Sequence, residues 1–254
     1  MDIELVKLPK PKLQTPEFNC DDNPIGSHLN EYPMLSYLNS YSFNGLIGRP
    51  GSGKTSLLIS WLTGKKNSRV FRKSFNNVLV VMPTSSRTSM KKNPFEKHSE
   101  DKMFDELNHD SISKIYQMLK TNKSNKENTL LILDDVGASL KNKELQKTLR
   151  EIIYNRRHLS CQIVCLLQSY LSIPREIRKL FSNLFIFKPS KTEFENLCDE
   201  TLELKRDEAL QLMKFVFDKP YVYLMINIES QKKYKNFDEV IITKPEDIES
   251  DIEK

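Results

Sequence analysis

The chain has 254 residues, enough for a single sizeable domain with a buried core. With 38% apolar and 29% charged residues it reads as a globular protein with a heavily charged surface, which excludes a disordered chain; no run reaches the ~20 apolar residues of a membrane span. The net charge of +5 conceals an asymmetry, since PEDIESDIEK (245–254) carries five acids and one base and leaves +9 on the remainder.

Residues 1–41 are rich in Pro, Asn and Asp and hold no sustained period, so they predict an irregular N-terminal arm. The stretch MDIELVKLPKPKLQ lacks the apolar core of a signal peptide, and an intracellular protein is expected. The four cysteines agree. Cys20, Cys161, Cys165 and Cys198 form no CxxC pair and no dense disulfide framework, so they are expected reduced, with Cys161 and Cys165 packed on one face of a strand.

From Ser42 the pattern changes. FNGLIG (43–48) is a short apolar run ending in glycine, and LLISWL (57–62) continues as a helix, which predicts strand, turn, helix. NNVLVVMP (76–83), TLLILDDVG (129–137), CQIVCLLQS (161–169) and NLFIFKP (183–189) are further buried strands. Between them lie helix-like stretches at 101–120 and 142–157, the latter with Leu145, Leu149, Ile152 and Ile153 on one face. Helices are expected again at about 192–201 and 205–217, then a closing hairpin from YVYLMINI (221–228) and FDEVII (237–242). The fold class is α/β, a parallel sheet covered by helices on both faces with a C-terminal hairpin. The catalytic domain is placed at 42–242 and an acidic tail at 243–254.

GRPGSGKTS (48–56) fits GxxxxGK followed by Ser or Thr, and four of the chain's seven glycines fall within 45–53. Successive backbone N–H groups can wrap a polyphosphate only where side chains do not obstruct them, and the helix behind directs its positive end at the same anion. The expected ligand is ATP, cradled by Gly48, Arg49, Pro50, Gly51, Ser52, Gly53, Lys54, Thr55 and Ser56, with Lys54 on the β- and γ-phosphates and the Thr55 hydroxyl on Mg²⁺. Asp134, at a strand end, is the second candidate for Mg²⁺, and Asp135 the candidate to polarise the attacking water; alternatively Asp135 caps a helix. Gln168 ends the next apolar strand. If that strand inserts between the phosphate-loop strand and the carboxylate strand, Gln168 faces the γ-phosphate.

Arg156 and Arg157 close the helix before that strand, either relieving its macrodipole or serving as an arginine finger in a neighbouring subunit's site. The basic clusters at 65–73, 141–158 and 175–179 read either as solvated surface or as contacts to nucleic acid.

With GRPGSGKTS, LLILDD, NRRHL (155–159), IVCLLQS, YVYLMIN and KYKNFDEVII in this order, the sequence over residues 42–242 resembles the poxvirus-type virion DNA-packaging ATPases of the FtsK–HerA superfamily. The resemblance implies a P-loop NTPase of RecA/ASCE-like fold that forms a homo-oligomeric ring and feeds double-stranded DNA into a preformed capsid, through a capsid or portal-like vertex, by ATP hydrolysis. It implies work in the host cytoplasm (viral factory) or the virion, without a membrane partner. Two departures stand out: the wider superfamily usually carries Asp-Glu at the position of Asp134-Asp135, and the first 40 residues have no counterpart. Other readings of the same motifs are a cellular HerA/FtsK-type translocase, a small-molecule kinase with KKNPFEK (91–97) as its lid, a membrane-linked phage morphogenesis ATPase, and a DNA-binding scaffold without turnover.

Overall fold

The computed structural model describes residues 2–7, 29, 32–38, 41–63, 70–88 and 93–243. In chain order these form β1 (Asp2–Val6), α1 (Pro33–Ser36), β2 (Phe43–Ile47), α2 (Lys54–Thr63), β3 (Asn77–Val81), α3 (Thr84–Thr88), β4 (Met103–Phe104), α4 (His109–Ser124), β5 (Thr129–Asp134), α5 (Lys143–Tyr154), β6 (Cys161–Leu167), α6 (Arg175–Arg178), β7 (Asn183–Phe187), α7 (Lys191–Leu202), α8 (Arg206–Val216), β8 (Tyr223–Asn227), β9 (Lys233–Lys235) and β10 (Asp238–Thr243). The strands make one sheet in the order β1-β10-β9-β8-β7-β2-β6-β5-β3-β4. From β7 through β2, β6, β5 and β3 to β4 all pairings are parallel, and from β7 outward through β8, β9 and β10 to β1 they are antiparallel.

The parallel strands are apolar without interruption because both faces are covered, and the period of two sorts each run between two cores. Leu131, Leu133, Ile163, Cys165 and Leu167 face one layer, packed with Ile112 and Ile115 of α4, Leu149 and Ile152 of α5, Phe194 of α7 and Leu212 of α8. Leu130, Ile132, Val164 and Leu166 face the other, packed with Leu58 and Trp61 of α2 and Leu35 of α1. Cys161, Cys165 and Cys198 are buried free thiols within the first layer, and burial pushes the Cys198 thiol up to about 12, so none is poised for chemistry. Cys20 lies outside the described residues.

A buried polar row ties the middle strands together, near the N-terminal ends of β7 and β2 and at the C-terminal end of antiparallel β8. Asn227 of β8 donates to Asn183 of β7 (2.8 Å), Asn183 to Asn44 of β2 (2.8 Å), and Asn44 to the Ile163 carbonyl of β6 (3.1 Å). A satisfied network of this kind fixes register, because a slip would strand each amide in an apolar interior.

Three sequence expectations are corrected. The helix expected over 101–120 begins only at His109, because Asn108 forms a capping box with Ser111, and the residues before it supply β4 to the open edge of β3. The closing hairpin is a meander: β9 stands between YVYLMIN and DEVIIT, so β8 pairs β9 and β9 pairs β10. Within residues 1–41, expected to be irregular, Asp2–Val6 adds an edge strand to β10 and Pro33–Ser36 forms a helical turn. The acidic tail from residue 244 onward lies outside the described residues. Among the described residues no helix is long and apolar enough to cross a membrane.

Candidate active site

Parallel strands bring their C-terminal ends to one edge, and the order β2-β6-β5 places three loops side by side there. β2 runs into the glycine turn, whose entry is pinned by Gly48 N–H donating to the Leu167 carbonyl of β6 at 3.0 Å. β6 lies between β2 and β5, as the motif logic required, so Gln168 emerges between the turn and the carboxylates. Pro50, Gly51, Lys54, Thr55, Asp134, Asp135 and Gln168 line one cleft of about 300 Å³. Ser86, from α3, and Leu166, within the IVCLLQS run, also line it; no sequence motif marks Ser86.

The turn is built for an anion. Gly51 and Gly53 hold φ of 75° and 107°, a backbone closed to most side chains, and a Cβ on Gly51 would meet nothing within 4 Å, so the cradle is open. At Gly48 the reason for glycine is space: a Cβ would stand 2.7 Å from Phe187 Cβ and 2.8 Å from Ser52 Oγ. Ser52 Oγ is buried with no hydrogen-bond partner among the described residues. Ser56 is exposed on the first turn of α2, and Arg49 on the turn itself.

Lys54 is buried, and its Nζ donates to the carbonyls of Gly48 (2.5 Å) and Arg49 (3.1 Å), curling onto the turn it follows. Burial lowers its pKa, while Asp134 and Asp135 pull it back up. Asp134, 9% exposed, is pushed up to about 6 by burial and by the charge of Asp135, against the pull of Lys54. With all three ionised the cleft carries one net negative charge, an environment that favours a further cation. Among the described residues no group of three or more His, Cys, Asp or Glu could hold a metal, so Asp134 and the Thr55 hydroxyl would form an incomplete set that phosphate and water complete, as Mg²⁺ accepts.

Asp135 ends β5 in a left-handed conformation (φ 54°), with its N–H on the Leu166 carbonyl at 3.1 Å. Asp tolerates this region better than most residues, and the turn swings its carboxylate into the cleft. It caps no helix; Asn142 caps α5, accepting from the N–H groups of Glu144 and Leu145. Gln168 Nε2 instead donates to Asp135 Oδ1.

Arg156 and Arg157 stand apart from this cleft, at the opposite edge where the strands begin. Arg156 is held there by Nε to the Tyr41 carbonyl (3.0 Å), Nη1 to the Ile153 carbonyl (2.9 Å) and Nη2 to Ser182 Oγ (3.4 Å). Arg157 is exposed. Both line a second cavity of about 470 Å³ with Tyr41, Phe181 and Glu229. The segment considered as a kinase lid is also remote: Phe95 is buried in a pocket with Phe71, Phe75 and His98, and His98 is bonded to the Val78 carbonyl near the start of β3. Residues 91–92 of that segment lie outside the described residues.

The model of the poxvirus A32 protein family matches residues 34–249. No curated protein matches the chain. Among solved structures, it is similar to the genome-packaging NTPase B204 of Sulfolobus turreted icosahedral virus 2 in complex with sulfate, with a TM-score of 0.59 at 17% identity over 77% of this chain and 96% of that one. The same protein in complex with AMPPCP matches with a TM-score of 0.58 at 16% identity, covering 80% and 98%. Thermomonospora curvata EccC (ATPases 2 and 3) matches with a TM-score of 0.50 at 10% identity over 80% of this chain and 38% of its own. At these identities the likeness shows the fold, that of a P-loop NTPase.

Proposed function

The chain belongs to the poxvirus A32 protein family, and from that premise we propose that it is a DNA-packaging ATPase, a motor that hydrolyses ATP to drive double-stranded DNA into a capsid. The observation that carries the reading is the convergence of the glycine turn, Asp134, Asp135 and Gln168 on one cleft at the ends of three adjacent strands. The structurally similar packaging NTPase, which has complexes with nucleotide analogues, supports it.

In this reading the N–H groups of residues 51–55 hold the β- and γ-phosphates, and Lys54 exchanges its two carbonyl partners for phosphate oxygens. Thr55 and Asp134 would hold Mg²⁺, which would supply neutralisation of the phosphate charge. Asp135 orients a water in line with the γ-phosphorus and takes its proton as the new O–P bond forms and the bond to the β-bridging oxygen breaks, with ADP leaving. Gln168, one hydrogen bond from Asp135, links the state of that carboxylate to the movement of β6 and the loop behind it. Arg157, exposed at the far edge, is assigned to a neighbouring subunit's site in a ring, and Arg156 to holding the local backbone.

The test is the ATPase rate with and without long duplex DNA, alongside the particle mass in solution. A multimer whose turnover rises with duplex DNA, and whose DNA binding weakens steeply with salt, is expected. A monomer indifferent to DNA would sink the motor reading.

A further inference from the structure

The strand order leaves one side of the glycine turn unused by the phosphate chemistry. β6 and β5, with Gln168 and both carboxylates, flank β2 on one side, so the γ-phosphate belongs there; β7 and β8 flank it on the other, where the nucleoside end of the ligand must emerge. On that side stands Tyr221, one residue short of the Val222 and Tyr223 that lead into β8. It is 71% exposed, and its Cδ1 would lie 3.4 Å from a Cβ placed on Gly53, beside Phe187 Cε1 at 3.3 Å. Its hydroxyl makes no hydrogen bond among the described residues, and its backbone is left-handed (φ 63°), an outlier for a bulky aromatic.

The surroundings hold it there. Pro220 precedes it, and Lys235 fastens the turn from β9 by an ion pair to Asp218 (2.9 Å) and a hydrogen bond to the Phe215 carbonyl (2.9 Å). Packing accounts for Phe187, which is 2% exposed; it does not account for an aromatic ring kept in water, in a strained backbone, against the turn that takes the phosphates. We propose that the Tyr221 ring is the platform on which the nucleobase of the bound nucleotide stacks. The proposal rests on the phosphate-loop reading above and adds the other end of the ligand. Because every base offers a π face, the site takes nucleoside triphosphates with little preference among bases.

The experiment compares binding of ATP, GTP and inorganic tripolyphosphate, each with Mg²⁺, to the full chain and to Tyr221→Ala, Tyr221→Gly and Tyr221→Phe. The Gly variant keeps the left-handed backbone without strain. Expected is a loss of about 5- to 100-fold in ATP and GTP affinity for Ala and Gly, retained affinity for Phe, and tripolyphosphate affinity unchanged in all three, since stacking acts only on the base. ATP affinity within twofold of wild type in Ala and Gly, or a parallel loss for tripolyphosphate, overturns the proposal while leaving the phosphate loop intact. A wild-type chain that binds none of the three overturns the phosphate-loop reading itself.

Discussion

Gln168 Nε2 donates a hydrogen bond of 2.9 Å to Asp135 Oδ1, joining the tip of β6 to the carboxylate that ends the turn after β5. The carboxylate keeps acceptor sites for a water beside that bond, so Gln168 orients the group that meets the nucleophile. Asp135→Asn should therefore leave ATP affinity within a few-fold of wild type and lower kcat by about 10²- to 10⁴-fold, the span typical of a lost general base. Gln168→Leu should keep basal turnover within about tenfold and lose the stimulation by duplex DNA. Equilibrium ATP binding and steady-state kinetics, each with and without DNA, check both; normal hydrolysis by Asp135→Asn would remove that residue from the chemistry.

Lys54 is the buried cation of the cleft, and among the described residues its hydrogen bonds go to two carbonyls of its own turn. Replacing it by Ala removes a charge-assisted contact to phosphate of roughly 1.5–3 kcal/mol, so ATP affinity should fall about 10- to 100-fold or more, with the fold kept. It should also raise the Asp134 pKa further, because Lys54 is the charge that opposes burial there. Calorimetric titration with MgATP, and thermal melting to confirm folding, read both effects.

Asp134 gives the pH dependence. Its folded pKa is about 6, above the ordinary 3.8, so the folded chain binds more protons than the unfolded one between these values, and stability from this group falls as pH rises through that window. The difference amounts to about 3 kcal/mol at most, at ~1.4 kcal/mol per unit. Asp134→Asn should remove this component, and its chemical denaturation at pH 7 should show a chain more stable than wild type and less able to bind Mg²⁺. Activity runs the other way: protonated Asp134 cannot ligate a cation, so kcat/KM for MgATP should fall as pH drops below about 6, while kcat, which reports the occupied site, should break at lower pH.

Much of this geometry was legible because burial writes a strong pattern. LLILD and CQIVCLL are apolar throughout and lie in the middle of the sheet, covered on both faces, so their ends, where Asp134 and Gln168 sit, were marked by the abrupt return of polarity. The position of β6 between β2 and β5 is not written in any one run; it was the condition for Gln168 to face the phosphates, and the strand order meets it. Elsewhere the local signal was too weak. Lys233–Lys235 is three residues with one buried side chain, Tyr234, and is a strand only because β8 and β10 offer it partners. Ser86 carries no motif and reaches the cleft by way of α3 beyond β3; Tyr221 opens the YVYLMIN run, but nothing in that run shows that its turn, more than 150 residues from Gly53 in sequence, returns beside that glycine. The Asn44–Asn183–Asn227 row was equally silent, since an isolated asparagine at the edge of an apolar run looks like a turn residue.

The two arginines at the end of α5 separate by their surroundings. Arg156 donates to the carbonyls of Tyr41 and Ile153 at a place where the chain enters β2 and leaves α5, so Arg156→Ala loses both contacts and should cost roughly 1–3 kcal/mol of folding stability whatever the oligomeric state. The Arg157 side chain is exposed and makes no hydrogen bond or ion pair among the described residues, so Arg157→Ala should melt as wild type does and bind ATP as wild type does. If it reaches a neighbour's γ-phosphate, the loss is confined to turnover in the assembled ring and is of order 10³-fold or more. Mixing decides the matter. Rings formed from Arg157→Ala and Asp135→Asn subunits contain interfaces that join an intact finger to an intact site, so where an Asp135→Asn subunit offers its Arg157 to an Arg157→Ala neighbour, turnover should reappear although each variant alone is inactive. Rings that stay dead at every mixing ratio, with both variants folded and assembled, would show that Arg157 acts on its own subunit or not at all.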